Sequence, residues 1–200
     1  MKTLALLAPV ALAVSGCATT GPRSGPTEVI RYNLGQPIAP GTVAVEPISG
    51  AAQVSPEYQM YADAVAAELG RLGFTPAPAG TSPQYFAAVG FNRVSRGEVR
   101  TPPRFSIGLG GGSFGGGRGG GVGLGGGVST GIGGKTLQAY SSELAVQLKR
   151  RSDGTIVWEG RAQRPSLSGP DEQPIATAGR MANALFRGFP GESGITTTVP

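Results

Sequence analysis

The chain has 200 residues, including 35 glycines and 17 prolines, with 17 Lys and Arg against 12 Asp and Glu, one cysteine and no histidine. The missing imidazole excludes Ser-His-Asp and Cys-His nucleophile systems and histidine-ligated metals, and a lone thiol excludes a cysteine metal site. A formal charge of +5 is too mild to demand a polyanionic partner, and no nucleic-acid-binding motif accompanies it.

In chain order, residues 1–16 come first as a secretory signal peptide. Lys2 supplies a positive start, Leu4 to Val14 an apolar core broken by Pro9, and Val14, Ser15 and Gly16 place small side chains before Cys17. The apolar run is too short to cross a bilayer. Val14-Ser15-Gly16-Cys17 resembles the lipobox of bacterial lipoproteins. That resemblance implies cleavage between Gly16 and Cys17, a diacylglycerol thioether on Cys17 and a further acyl chain, such as palmitate, on the new amino group. Each buried methylene contributes roughly 0.8 kcal/mol, so several chains make a durable anchor. Ala18 rather than Asp follows the cysteine, which by the same resemblance implies sorting to the outer membrane, with the protein on its periplasmic face. Residues 17–26 then form a lipidated polar tether. Without Lys2 the mature chain carries 16 basic against 12 acidic side chains, a surplus of +4.

The folded part is expected over residues 27–190. Once the insert is set aside it holds about 130 residues, enough for one domain with a core. Glu28 to Tyr32 reads as an edge strand and Thr42 to Pro47 as a short apolar strand. Ser55-Pro56 opens a helix, with Ser capping and Pro at the first helical position. Tyr58, Tyr61, Val65, Leu69 and Leu72 make its apolar stripe, and Gly73-Phe74 ends it as a left-handed cap followed by a packed hydrophobe. A loop runs from Pro76 to Pro83. Gln84 to Val94 reads as a strand buried on both faces. Gln138 to Arg150 is a strand with Tyr140, Leu144, Val146 and Leu148 on one face and Glu143, Gln147 and Lys149 on the other. Arg151-Ser152-Asp153-Gly154 is a hairpin turn. The return strand, Thr155 to Arg161, carries Ile156 and Trp158 on one face, with Trp158 a core anchor. Asp171 opens a last helix whose apolar side is Ile175, Ala178, Ala182, Leu185, Phe186 and Phe189, ended by Pro190-Gly191. Residues 191–200 read as a loose tail. These elements predict an α+β fold: a small mixed or antiparallel sheet with two helices packed on one face, interrupted by a glycine-rich insert.

The insert, residues 106–134, has 17 glycines in 29 positions. Strands that could pair with each other bound it, so it forms a long hairpin tip rather than an interdomain linker. Two readings stay open. It is a loop whose ordering entropy nothing offsets, or its arms, Phe105–Ser113 and Val122–Ile132, order when several copies assemble. The arms have about the 9–11 residues of a membrane-crossing strand but lack the aromatic girdles of a membrane barrel. GRGGG at 117–121 lacks the Gly-Lys-Ser/Thr ending of a phosphate loop.

The lipobox at Cys17, the TVAVEP strand followed by a helix ending in LGF, and the SDGTIVWEG hairpin followed by a closing helix together resemble the periplasmic lipoproteins of the family called domain of unknown function forty-one thirty-six. The resemblance covers roughly residues 27–190 and implies a fold and a location. It brings no activity and no catalytic residues. The same hairpin looks like wider periplasmic modules, among them lipoprotein activators of peptidoglycan synthases and the periplasmic domain of curli-type pores, a kinship of fold alone.

Glu46, Glu57, Asp63, Glu68, Glu98, Glu143, Asp153 and Glu159 are scattered singly, and no motif pairs them for acid–base work. The expectation is a non-enzymatic lipoprotein of the cell envelope, without cofactor or metal, anchored through Cys17. Its domain binds an envelope protein or peptidoglycan, and not nucleic acid. The alternative is a homo-oligomeric envelope component whose glycine-rich hairpins form a pore or assembly seam.

Overall fold

The computed structural model describes residues 24–48, 55–100, 105–108, 129–132, 135–169 and 172–200. The described chain forms nine strands and two helices: β1 (Thr27–Asn33), β2 (Thr42–Pro47), α1 (Pro56–Arg71), β3 (Thr75–Pro76), β4 (Tyr85–Arg100), β5 (Phe105–Gly108), β6 (Ser129–Ile132), β7 (Thr136–Arg150), β8 (Ile156–Leu167), α2 (Pro174–Phe186) and β9 (Thr196–Val199). Seven strands make one mixed sheet in the order β3-β2-β4-β7-β8-β1-β9, and β5 and β6 pair separately.

The expectation of a small sheet with two helices on one face is corrected. The sheet dominates the fold: β4, β7 and β8 run for 16, 15 and 12 residues, beside helices of only 16 and 13. The physical reason is that antiparallel pairing needs no apolar residue at every position. β4 and β7 pair from Tyr85↔Arg150 to Arg100↔Thr136, with one bulge between Ser95 and Gly97, well past the last buried side chain of β4. The Gln84–Val94 expectation therefore stops short, and only Ala87, Ala88 and Val89 are buried from successive positions.

α1 forms as its sequence dictates. The Ser55 hydroxyl accepts from Tyr58 N at 3.1 Å, Pro56 sits in the first turn, and Gly73 takes a φ of +90°. Phe74 N then donates to Leu69 O and Gly73 N to Gly70 O, a Schellman closure that buries Phe74. α1 lies over β2, β3 and β4, α2 lies over β1 and β8, and the helices touch each other. Between them and the sheet sit Val65 and Leu69, Val89, Leu144, Val146 and Leu148, and Trp158, Met181 and Leu185. Trp158 stacks on Phe186 with ring centroids 5.2 Å apart, and its indole N–H donates to Pro190 O at 2.9 Å, so the expected anchor is in the core.

Four further expectations are corrected. β1 is not an edge strand: β8 lies on one side and β9 on the other. Residues 191–200 are not a loose tail, because Thr196–Val199 pairs antiparallel with Thr27–Ile30 and Val199 is buried. Ile156 and Trp158 do not share a face. A bulge shifts the β7–β8 register between Leu148 and Lys149, so Trp158 pairs with Leu148 in the core while Ile156 pairs with Lys149 and is 39% exposed. The start expected at Asp171 lies outside the described residues. α2 begins at Pro174 with no side-chain cap, exposes Ile175, and ends at Phe186, before Pro190-Gly191.

Candidate functional site

The chain enters the fold at a polar cluster. Leu167 N donates to the Ser24 hydroxyl at 3.3 Å and Gly25 N to Pro165 O at 3.0 Å, which ties the start of the described chain to the end of β8. Beside it the Glu172 carboxylate accepts from the Thr177 hydroxyl at 2.9 Å and pairs with Arg164 and Arg180, each at 3.4 Å. Burial raises the Glu172 carboxyl, but hydrogen bonds from Ser24 and Thr177 and the two guanidinium charges outweigh it, and the group is held below its ordinary value. Arg164 is 7% exposed and reaches Thr27 Oγ1 at 3.5 Å, while its Nε has no partner among the described residues.

The second element is a ribbon made by the far halves of β4 and β7. β2 pairs with β4 only from Tyr85 to Val89, so among the described residues no strand covers the other edge of β4 beyond that point. Every residue from Asn92 to Arg100 is exposed. At the ribbon's root Tyr61 stacks on Phe91 at 3.8 Å. Arg93 lies 3.9 Å over the Tyr140 ring and pairs with Glu57 at 3.1 Å. Further out Ser95 pairs with Tyr140 and Gly97 with Ala139, so Arg96 is the extra residue of a bulge, with Gly97 at φ +95°. Beyond the ribbon β5 and β6 pair from Phe105↔Ile132 to Gly108↔Ser129. The two ends of the glycine-rich insert therefore face each other as a hairpin.

The sheet register ties these elements together. Leu167 of β8 pairs with Ala139 of β7, which pairs with Gly97 of β4. Ser24, bound to Leu167, thus leaves the fold level with the ribbon's outer third.

Among the described residues at this end, the contacts are hydrogen bonds and ion pairs that tie the start of the chain to β8 and α2. Among the described residues no group of three Asp, Glu or Cys side chains is placed to hold a metal. A hollow of about 30 Å³ lined by Leu34, Ile38, Tyr85, Arg150 and Val157 has room for about one water. The expected lipid-attachment residue Cys17 and its lipobox neighbours Val14, Ser15 and Gly16 lie outside the described residues, as does most of the insert. No described helix is long and apolar enough to cross a membrane. Sequence reasoning missed Arg164 and Arg96. Arg164 lies on the buried side of β8 with Trp158 and Ala162 at alternate positions, a parity visible in the sequence. Arg96-Gly97 is a bulge signal in an otherwise alternating stretch.

The family model described as Domain of unknown function (DUF4136) matches residues 36–191. The chain is 33% identical to the uncharacterized protein ZMO1243 of Zymomonas mobilis over 214 positions, covering 87% of this chain and 80% of the relative. Among solved structures it is similar to a PDZ domain protein from Parabacteroides distasonis, with a TM-score of 0.48 and 10% identity over 88% of this chain; it spans 39% of that protein. It is also similar to the PelC dodecamer from Paraburkholderia phytofirmans, with a TM-score of 0.42 and 16% identity, covering 79% of this chain and 93% of that one.

Proposed function

The chain belongs to the DUF4136 family, and from that premise we propose that it is a lipid-anchored protein of the cell envelope. Acyl chains on Cys17 hold it at the periplasmic face of the outer membrane. Its sheet domain binds a protein or cell-wall partner and catalyses no reaction. The observation that carries this reading is the clamp on Ser24. The fold takes hold of the chain seven residues after Cys17, and seven extended residues reach at most about 25 Å. The short span between Cys17 and the folded domain supports a tether of that kind. Support for a non-catalytic role is compositional: the chain has no histidine and only the one cysteine.

The test is Cys17→Ala, read by fractionation and intact mass. The expected result is that the wild-type protein fractionates with membranes and carries the mass of a diacylglyceryl cysteine with an amide-linked acyl chain. The variant remains uncleaved or becomes soluble. A variant that loses its signal peptide yet stays on membranes through mature residues alone would overturn the anchor.

The β5–β6 ladder favours a second reading, in which glycine hairpins from several copies form a pore or an assembly seam. Light scattering in mild detergent separates the two. A ring-sized particle that collapses on deletion of residues 106–134 supports the seam, and a monomer in both cases rejects it.

A further inference from the structure

We propose that the outer end of the β4–β7 ribbon is a membrane-contacting surface that takes anionic phospholipid headgroups. The inference rests on the acylation of Cys17 proposed above and names a surface that the tether brings within reach of the bilayer.

The register fixes the direction. Ser24, Leu167, Ala139 and Gly97 lie across the sheet in one row. The tether therefore leaves the fold at the ribbon's end. From that row Glu98, Val99 and Arg100 run outward by about 10 Å at about 3.3 Å per residue. A tether of at most about 25 Å, leaving from the same row, keeps this projection within reach of the bilayer. The opposite end, with the Arg151–Gly154 turn and Ile156, is held away.

The chemistry fits that neighbour. Arg93 is engaged by Glu57, and Arg164 and Arg180 by Glu172. Arg96 and Arg100 make no ion pair among the described residues, and both are fully on the exposed stretch. Glu98 is the single acid on this part of either strand. Guanidinium forks match phosphate oxygens, and the bulge displaces Arg96 from the regular alternation. Val94 and Val99 are 46% and 36% exposed, apolar contacts suited to the headgroup boundary rather than to water. A basic, partly apolar projection beside a lipid anchor is the two-signal arrangement that holds a protein surface against an anionic leaflet.

The test uses the full acylated protein with Val99→Cys. The Cys17 thiol is consumed as a thioether, so a fluorophore attaches at position 99 alone. The protein is reconstituted in vesicles of phosphatidylcholine, with or without phosphatidylglycerol, and the dye is quenched by aqueous acrylamide. The expected result is a several-fold loss of quenching on phosphatidylglycerol vesicles only, weakened by salt and abolished by Arg96→Glu with Arg100→Glu. A dye at Ile156→Cys stays fully accessible on both. Equal quenching at position 99 on both vesicles, with the acyl mass present, overturns the inference and leaves the anchor standing. Shielding that ignores lipid charge and grows with protein density would mean that a second copy covers the open β4 edge, which also overturns it. A protein without acyl mass removes the anchor and this inference together.

Discussion

Arg31 of β1 donates from its Nε to the carbonyl of Leu185, 154 residues away, at 2.7 Å. Its NH2 reaches the neighbouring Ala184 carbonyl at 2.8 Å, so one guanidinium closes the last turn of α2 from beneath. A cation is favourable there, because the C-terminal end of a helix is negative and its last carbonyls have no partner within the helix. The side chain is only 6% exposed, and burial lowers the Arg31 value.

Arg31→Met keeps much of the volume and leaves two buried carbonyls without donors. The expected cost is about 3 kcal/mol, within the range for stranded buried acceptors. The urea midpoint should fall with its slope unchanged. A midpoint equal to wild type would show that water serves those carbonyls equally well.

Gly160 faces the core beneath Trp158. A Cβ there would lie 2.5 Å from the far edge of the indole ring and 2.8 Å from Leu185 Cδ1. Gly160→Ala should therefore destabilise by about 1–3 kcal/mol, as overpacked cores do. Trp158 is the single tryptophan of the chain, so its emission reports the displacement directly. An unchanged spectrum and melting temperature would contradict this packing.

The lowered value of Glu172 makes an acid-side prediction. A carboxylate held below its ordinary 4.5 in the folded state contributes stability that is complete above that pH. The contribution is lost as pH falls through the lowered folded value. Glu172→Gln should flatten this part of the stability profile, and it should loosen Ser24. Melting curves across the acid range, wild type against variant, check the slope. Parallel curves would count against the cluster.

Tyr61 makes the opposite prediction. Burial, then the Glu57 charge, push its phenol up to about 12, against the lowering effects of Arg93 and Ser142. The unfolded phenol ionises near 10, so stability falls as pH rises through about 10 towards 12. Tyr61→Phe removes that fall while keeping the stack on Phe91. Urea unfolding at neutral and strongly alkaline pH reads the difference, and equal losses in both proteins would reject it.

How much of this was legible in the sequence varied by element. α1 was plain because its cap, its apolar stripe and its glycine stop all lie in one local stretch. The faces of β7 were plain because Leu144, Val146 and Leu148 share one parity and Glu143, Gln147 and Lys149 the other. The outer half of β4 was not, because NRVSRGEVR has no buried face and is held only by its partner strand. β9 was hidden for a similar reason: TTTV carries no period, and its pairing with β1 is settled by tertiary contact. Alternation alone puts Ile156 on the face of Trp158, because a bulge is invisible to a count of two. At the candidate site, the exposed Arg96 shows in the sequence only through the Arg96-Gly97 bulge signal, and the burial of Arg31 and Arg164 does not show in composition. A charged residue reads as solvated until the carbonyls and the carboxylate that face it are known.

β1 stands between β8 and β9, so both of its neighbours come from residue 156 or later. Until those residues arrive, Thr27–Asn33 is an unpartnered strand with both rows of amides open. The domain cannot grow outward from its first strand; it has to wait for its last two. Such long-range closure makes folding slow, and it leaves a sticky early segment exposed for the whole interval. Until β8 and β9 arrive, that strand is open to pairing with the wrong edge.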